Sequence, residues 1–201
     1  MWFDSSELTG QQNYKLLTGG VTPRPIAWIS SRSSDGVDNL APYSFFTVAS
    51  CSPPVLLYTQ IMPRTGEHKD TLTNLLQTQQ CVVNIVNSQL LEQMNQTSSS
   101  LAAAECEFTD ANIASCVSYK VAPLSVAEAK VRYECSLREV ISVGDGAGSG
   151  AMVLLDVLAV YVDDQLWTGD SVSQALLDSV GKMGGNSYSL TQQQQQLERP
   201  A

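Results

Sequence analysis

The sequence predicts a mainly β fold with a few helices, arranged as a small barrel with helical decorations. Residues 22–54, TPRPIAWISSRSSDGVDNLAPYSFFTVASCSPP, read as two strands joined by a turn. Tyr133 to Val143 and Ala151 to Val162 are two long strand candidates separated by a glycine-rich run. Val55 to Ile61 and Cys81 to Val86 are shorter apolar runs of strand length.

Taken in order, Pro25 to Ser30 is a short apolar run bounded by Pro-Arg-Pro on one side and Ser-Arg-Ser-Ser-Asp-Gly on the other. Asp35-Gly36 sets a turn, and Leu40 to Ala49 follows as a strand that Ser52-Pro53-Pro54 stops. Alternation divides that strand, with Tyr43, Phe45 and Thr47 facing one way and Ser44, Phe46 and Val48 the other. Pro63 ends the next strand. Asp70 to Gln80 reads as a helix with Leu72, Leu75 and Leu76 on one face and Asp70 or Thr71 as its cap. Ser88 to Gln96 is a second helical stretch, with Leu90, Leu91 and Met94 apolar. Ser98 to Ser118 wraps the surface around a short helix at Glu105 to Asn112. Gly144 to Gly150 lacks a Gly-Lys-Ser/Thr ending, so it reads as a hairpin tip rather than a phosphate loop. Ser171 to Asp178 is a short helix, and 191–201 a polar, frayed tail.

At 201 residues the chain suits a single domain. A net charge of −9, with 11 scattered Lys and Arg, argues against nucleic acid as a partner. No cationic leader and no apolar run of membrane-spanning length is present, so the expected setting is cytoplasmic and membrane-free. The cysteines, Cys51, Cys81, Cys106, Cys116 and Cys135, include no C-x-x-C pair and read as reduced thiols. Cys51 reads as a small apolar filler. A lone histidine, His68, rules out multi-His metal sites, and no G-x-S-x-G turn supports a hydrolase built on it. No metal is expected. Trp28, Trp2 and Trp167 read as core or interface packing.

Lys69-Asp70-Thr71 stands just before a helix, where free N–H groups and the positive dipole end attract an anion. Lys69 would add charge and Thr71 a hydroxyl donor; plain helix capping is the competing reading. Arg24 is presented from a stiff segment between two prolines. Asn39, Tyr43 and Ser44, with exposed main chain beside Pro42, suit hydrogen bonding to a polar ring edge. Ser50 offers a further hydroxyl.

The order of motifs resembles the FMN-binding split-barrel family called flavin reductase-like or flavoredoxin-like. Its RPIAW strand, G-x-x-N-L-A-P-Y-S strand and following S-x-P-P have counterparts in residues 24–28, 36–44 and 52–54. Lys69-Asp70-Thr71-Leu72-x-Asn74, Val82 to Val86, Met94-Asn95-x-Thr97-Ser98, Glu107-Phe108-x-x-Ala111-Asn112-Ile113, Tyr133-Glu134-Cys135-x-Leu137 and Val180 to Gly185 follow in the same order. The resemblance covers roughly residues 14 to 190. It implies a split β-barrel of Greek-key type, non-covalent FMN, and a homodimer. It also implies an oxidoreductase passing electrons from NAD(P)H through flavin to a second acceptor. By the same resemblance the cofactor residues are Arg24, Pro25, Asn39, Ala41, Pro42, Tyr43, Ser44, Ser50, Lys69, Asp70 and Thr71, with Lys182 and Tyr188 toward substrate.

Two departures stand out. Lys182 replaces the family's arginine in G-R-x-G-G-x-x-Y and cannot copy a planar fork. Ser171 follows Gly169-Asp170 where flavin:NADH reductases often carry a histidine. Two rival readings remain: a non-catalytic FMN carrier or electron-transfer module serving a partner oxygenase, and a cofactor-less partner-binding barrel.

Overall fold

The computed structural model describes residues 1–63, 69–99, 101–102, 105–198 and 200. His68 lies outside the described residues. The chain opens with helix α1 (Gly10–Gly20), which the sequence reading above does not contain. Its one clear signal is a capping box: the Thr9 side chain accepts from Gln12 N while the Gln12 side chain accepts from Thr9 N.

The strands are β1 (Arg24–Pro25), β2 (Ala27–Arg32), β3 (Asp38–Tyr43), β4 (Phe46–Cys51), β5 (Pro54–Ile61), β6 (Gln80–Ile85), β7 (Ser115–Cys116), β8 (Ser125–Val126), β9 (Val131–Ser142), β10 (Gly150–Val162), β11 (Val180–Lys182) and β12 (Tyr188–Leu190). The helices after α1 are α2 (Asp70–Thr78), α3 (Leu91–Gln96), α4 (Glu107–Asp110) and α5 (Gln174–Leu177). Single 3-10 turns lie at Ser88–Leu90 and Asp164–Leu166. A seven-stranded sheet runs β3-β2-β6-β9-β10-β5-β4, and β1-β11-β12 form a small second sheet.

The expected strand Leu40 to Ala49 is two strands that sit on opposite edges of the large sheet. The bend at Ser44 and Phe45 separates them, so the alternation expected across 43–48 stops there. Ladder pairing ends at β3 and β4, leaving the barrel open at that seam. The seam is drawn together by Phe45 O accepting from Thr59 N at 2.7 Å and by Tyr43 and Tyr58, whose ring centroids are 4.8 Å apart. The barrel interior holds Ile29, Tyr43, Tyr58, Cys81, Val83, Cys135, Val153 and Leu155, and Leu72 and Leu75 of α2 pack onto it. A second core on the other face holds Trp28, Leu40, Val86, Met94, Phe108 and Val126.

Several smaller expectations shift. The strand Pro25 to Ser30 breaks at Ile26, because β1 pairs with β11 while β2 pairs with β3 and β6. The helix at Ser171 to Asp178 contracts to α5. The hairpin tip at 144–150 is as expected, with Gly146 and Gly148 at φ 90 and 87. All five cysteines are free, but Cys51 is exposed at the end of β4 instead of filling apolar space. Trp28 is buried and donates from Nε1 to Thr97 Oγ1 at 2.9 Å, whereas Trp2 and Trp167 are exposed. No helix among the described residues is long and apolar enough to cross a membrane, and no cluster there could hold a metal.

Candidate functional site

Edge strand β3 and the first turn of α2 form the two sides of a cavity of about 430 Å³, lined by Asn39, Ala41, Pro42, Tyr43, Lys69, Asp70 and Thr71 together with Thr97, Ser98, Ser99 and Glu107. A second cavity of about 300 Å³ shares Pro42 and Ser98 with it and brings in Ser44, Lys182 and Tyr188. The two make one groove along β3. Lys69 stands at one end and Lys182 at the other.

The β3 edge has a definite hydrogen-bonding character. Ser33 N donates to Val37 O, which sets the phase of the β2–β3 ladder, so Leu40 and Pro42 turn their backbone polar groups away from β2. Pro42 is tolerated there because no ladder N–H is lost. Glu107 Oε2 accepts the Leu40 N–H at 2.9 Å. The outer edge therefore presents the Pro42 carbonyl oxygen to the groove, while Leu40 is fully buried. Burial pushes the Glu107 carboxyl above its ordinary range, opposed by the Leu40 N–H and reinforced by the charges of Asp70 and Asp110.

At the other side, the cap position of α2 is Lys69, not Asp70 or Thr71 as expected, and no side chain among the described residues caps the helix. Its first amides are thus left to a ligand or solvent. Lys69 Nζ lies 5.7 Å from the Tyr43 ring centroid. Thr71 is buried, and its Oγ1 accepts from Asn39 Nδ2 at 2.9 Å. Burial raises the Tyr43 phenol far above its ordinary value. The Thr71 hydroxyl oxygen is engaged by Asn39, and its backbone N–H is among the uncapped amides of α2.

Arg24 and Pro25 do not line the groove. Arg24 is buried, with Nη1 donating to Thr18 O and Val21 O at 2.7 Å and Nη2 to Met183 O at 3.1 Å. Its Nε donates to Ser44 Oγ at 3.3 Å. The guanidinium is absorbed by the C-terminal carbonyls of α1 and the loop after β11, so it reaches the groove through Ser44. Ser50 lies on β4 opposite Val55 and outside the groove, because β4 belongs to the opposite sheet edge.

Lys182 pairs across β1–β11 with Arg24. Its Nζ donates to Gly185 O at 2.7 Å and lies 4.0 Å from the Tyr188 ring centroid. Desolvation first, and then the charge of Arg24, lower its pKa. Tyr188 Oη in turn donates to Asn95 Oδ1 at 2.8 Å. Gly181 is required by close approach: a Cβ there would meet Pro23 Cβ at 2.7 Å and Ser189 Oγ at 2.8 Å.

Thr97, Ser98, Ser99 and Glu107 are groove residues that the sequence reading did not assign. Their signal was present, since all but Ser99 fall in the ordered motifs at 94–98 and 107–113.

A family model described as flavin reductase like domain matches residues 19–181. The chain is similar in structure to nitrilotriacetate monooxygenase component B from Bacillus cereus, at 29% identity and TM-score 0.93, covering 98% of both chains. It is also similar to the 2-nitrobenzoate 2-nitroreductase NbaA of Pseudomonas fluorescens, at 30% identity and TM-score 0.90, covering 100% of this chain and 96% of that one. A protein from Shewanella frigidimarina NCIMB 400, provisionally described as a flavin reductase with split barrel domain, shares the fold at 22% identity and TM-score 0.85, with 100% of each chain covered.

Proposed function

Because the chain belongs to the flavin reductase like family, we propose that it is an FMN-binding oxidoreductase passing hydride or electrons from NAD(P)H through flavin to a second acceptor. The observation that carries this reading is the single groove along β3, with an uncapped helix start and Lys69 at one end and Lys182 over Tyr188 at the other.

The residues present fit FMN. The first amides of α2 and Lys69 suit the phosphate. The outward carbonyl of Pro42 suits an N–H donor on the ring's polar edge, and the Ser44 hydroxyl, fixed by Arg24, suits an acceptor there. Bound flavin supplies the electron chemistry itself, so the chain needs few acids or bases. Its own residues bind and orient the ring. Glu107 holds the β3 edge by taking the one N–H that would otherwise point into the groove. Lys182 and Tyr188 belong to the end where a nicotinamide nucleotide would approach, and a homodimer is part of the same reading.

The test is the visible spectrum of purified protein with and without added FMN, then with NADH and NADPH under anaerobic conditions. Bound flavin that bleaches with either nucleotide is expected. Flavin that binds but stays oxidised means a carrier module, and no binding at saturating FMN overturns the reading.

A further inference from the structure

We propose that the Lys182 end of the groove is a carboxylate site, so that the second acceptor is a small organic acid; its role as acceptor rests on the flavin reading above, and the site itself rests on the donors gathered there. Of the residues lining the cavity of about 300 Å³ at this end, Lys182 alone carries a charge, and no Asp or Glu is among them. The chain around it has a net charge of −9. Neither Lys182 nor Arg24, its partner across β1–β11, forms an ion pair among the described residues. Arg24 spreads its charge over the carbonyls of Thr18, Val21 and Met183. Lys182 has a single carbonyl partner, Gly185 O, which leaves two of its three N–H donors. Desolvation and then the charge of Arg24 disfavour its ammonium form, and a bound anion offsets that repulsion.

The neighbouring polar groups are turned the same way. Asn95 Oδ1 accepts the Tyr188 hydroxyl at 2.8 Å, which fixes the amide and leaves its Nδ2 donors as what the side chain can offer. Ser44 Oγ accepts from Arg24 Nε at 3.3 Å, so its hydroxyl hydrogen is left to donate. In each case the chain fills the accepting side. A cavity that donates without accepting selects an anion over a neutral ligand. Lys182 and Asn95 stand at two parts of Tyr188, the ammonium over the ring face and the amide at the hydroxyl. They offer one donor group to each carboxylate oxygen, where an arginine fork would supply both from one group. A single full positive charge matches a monoanion better than the paired phosphates of a dinucleotide. The cavity lies at the small end of ligand sites, which restricts the acid to a compact one.

The experiment is calorimetric titration of the full chain, with and without saturating FMN, against benzoate and its neutral counterpart benzamide. Wild type is expected to bind benzoate about tenfold or more tightly than benzamide, the scale of a charge-assisted hydrogen bond. K182M should lose that preference, and K182R, which keeps the charge, should retain it. N95D keeps an acceptor for Tyr188 but replaces the amide donors with a negative charge, and it should lose benzoate as K182M does. Equal affinity for the two probes in wild type, or a preference that survives in K182M, overturns the inference while leaving the flavin groove intact. If K182M raises the KM for NADH or NADPH with the benzoate preference unchanged, the cation serves the nucleotide's phosphates, and the proposal fails. A chain that takes up no FMN sinks the flavin reading and the acceptor role with it, and the flavin-free titration still decides the carboxylate site.

Discussion

Asn39 Nδ2 donates to Thr71 Oγ1 at 2.9 Å, and this bond ties the edge strand β3 to the first turn of α2 across the floor of the groove. Both residues are buried. Farther into the barrel, the Tyr43 phenol of the same strand donates to Gln60 Oε1 at 3.4 Å. T71V removes the acceptor that Asn39 uses. It is expected to cost about 1–3 kcal/mol in urea unfolding, the scale of stranding a buried polar partner. T71S should restore most of it; a valine variant as stable as wild type would mean the Asn39–Thr71 bond contributes nothing.

Lys69 differs in kind because it lines the groove and forms no ion pair among the described residues. K69A should weaken FMN by ~1–3 kcal/mol, as for a lost charge-assisted hydrogen bond. Riboflavin, which lacks the phosphate, should bind the variant and the wild type alike. A parallel loss for riboflavin would place the phosphate elsewhere.

Arg24 acts through others. Its fork gathers Thr18, Val21, Met183 and Ser44, which a lysine ammonium cannot do in one plane. R24K is expected to lower stability by about 1.5–3 kcal/mol, the scale of a hydrogen bond to a charged group. Its effect on FMN should be smaller than that of K69A. Direct titrations of both variants against FMN decide this, and the reverse ranking would mean that Arg24 touches the flavin itself.

The legible parts of the fold were those with strong local signals. β9 and β10 are long and flank a glycine tip, and α2 has a clear leucine face. The β3–β4 break was illegible because hydroxyls and aromatics run on without a breaker, and the bend at Ser44–Phe45 is imposed by the barrel seam. α1 has only a capping box and no buried stripe, with Thr18 its sole buried residue. The three short strands β1, β11 and β12 exist by pairing with one another across the chain, which no local window reveals. Within the site, the groove collects Asn39 to Ser44 and Lys69 to Thr71 because they carry groups suited to a ligand on adjacent elements. Arg24 carries the same suitability, but its partners come from α1 and the loop after β11, contacts visible only in three dimensions.

Glu107 ties groove chemistry to pH. Its Oε2 holds Leu40 N–H, yet burial, with the nearby charges of Asp70 and Asp110, raises its pKa above the ordinary carboxylate value. A carboxyl whose folded pKa lies above its unfolded one binds more protons when folded, so stability falls as pH rises from the ordinary value through the folded one. Above that window the cost of the buried charge is complete. E107Q keeps an acceptor oxygen for Leu40 and removes the charge. The glutamine variant should therefore unfold at a higher temperature than wild type at pH 7–8, with the gap closing as pH is lowered toward the ordinary carboxylate range. Thermal unfolding of both proteins across that span measures the sign directly. A variant less stable at neutral pH would mean that the ionised carboxylate strengthens its bond to β3 by more than its burial costs.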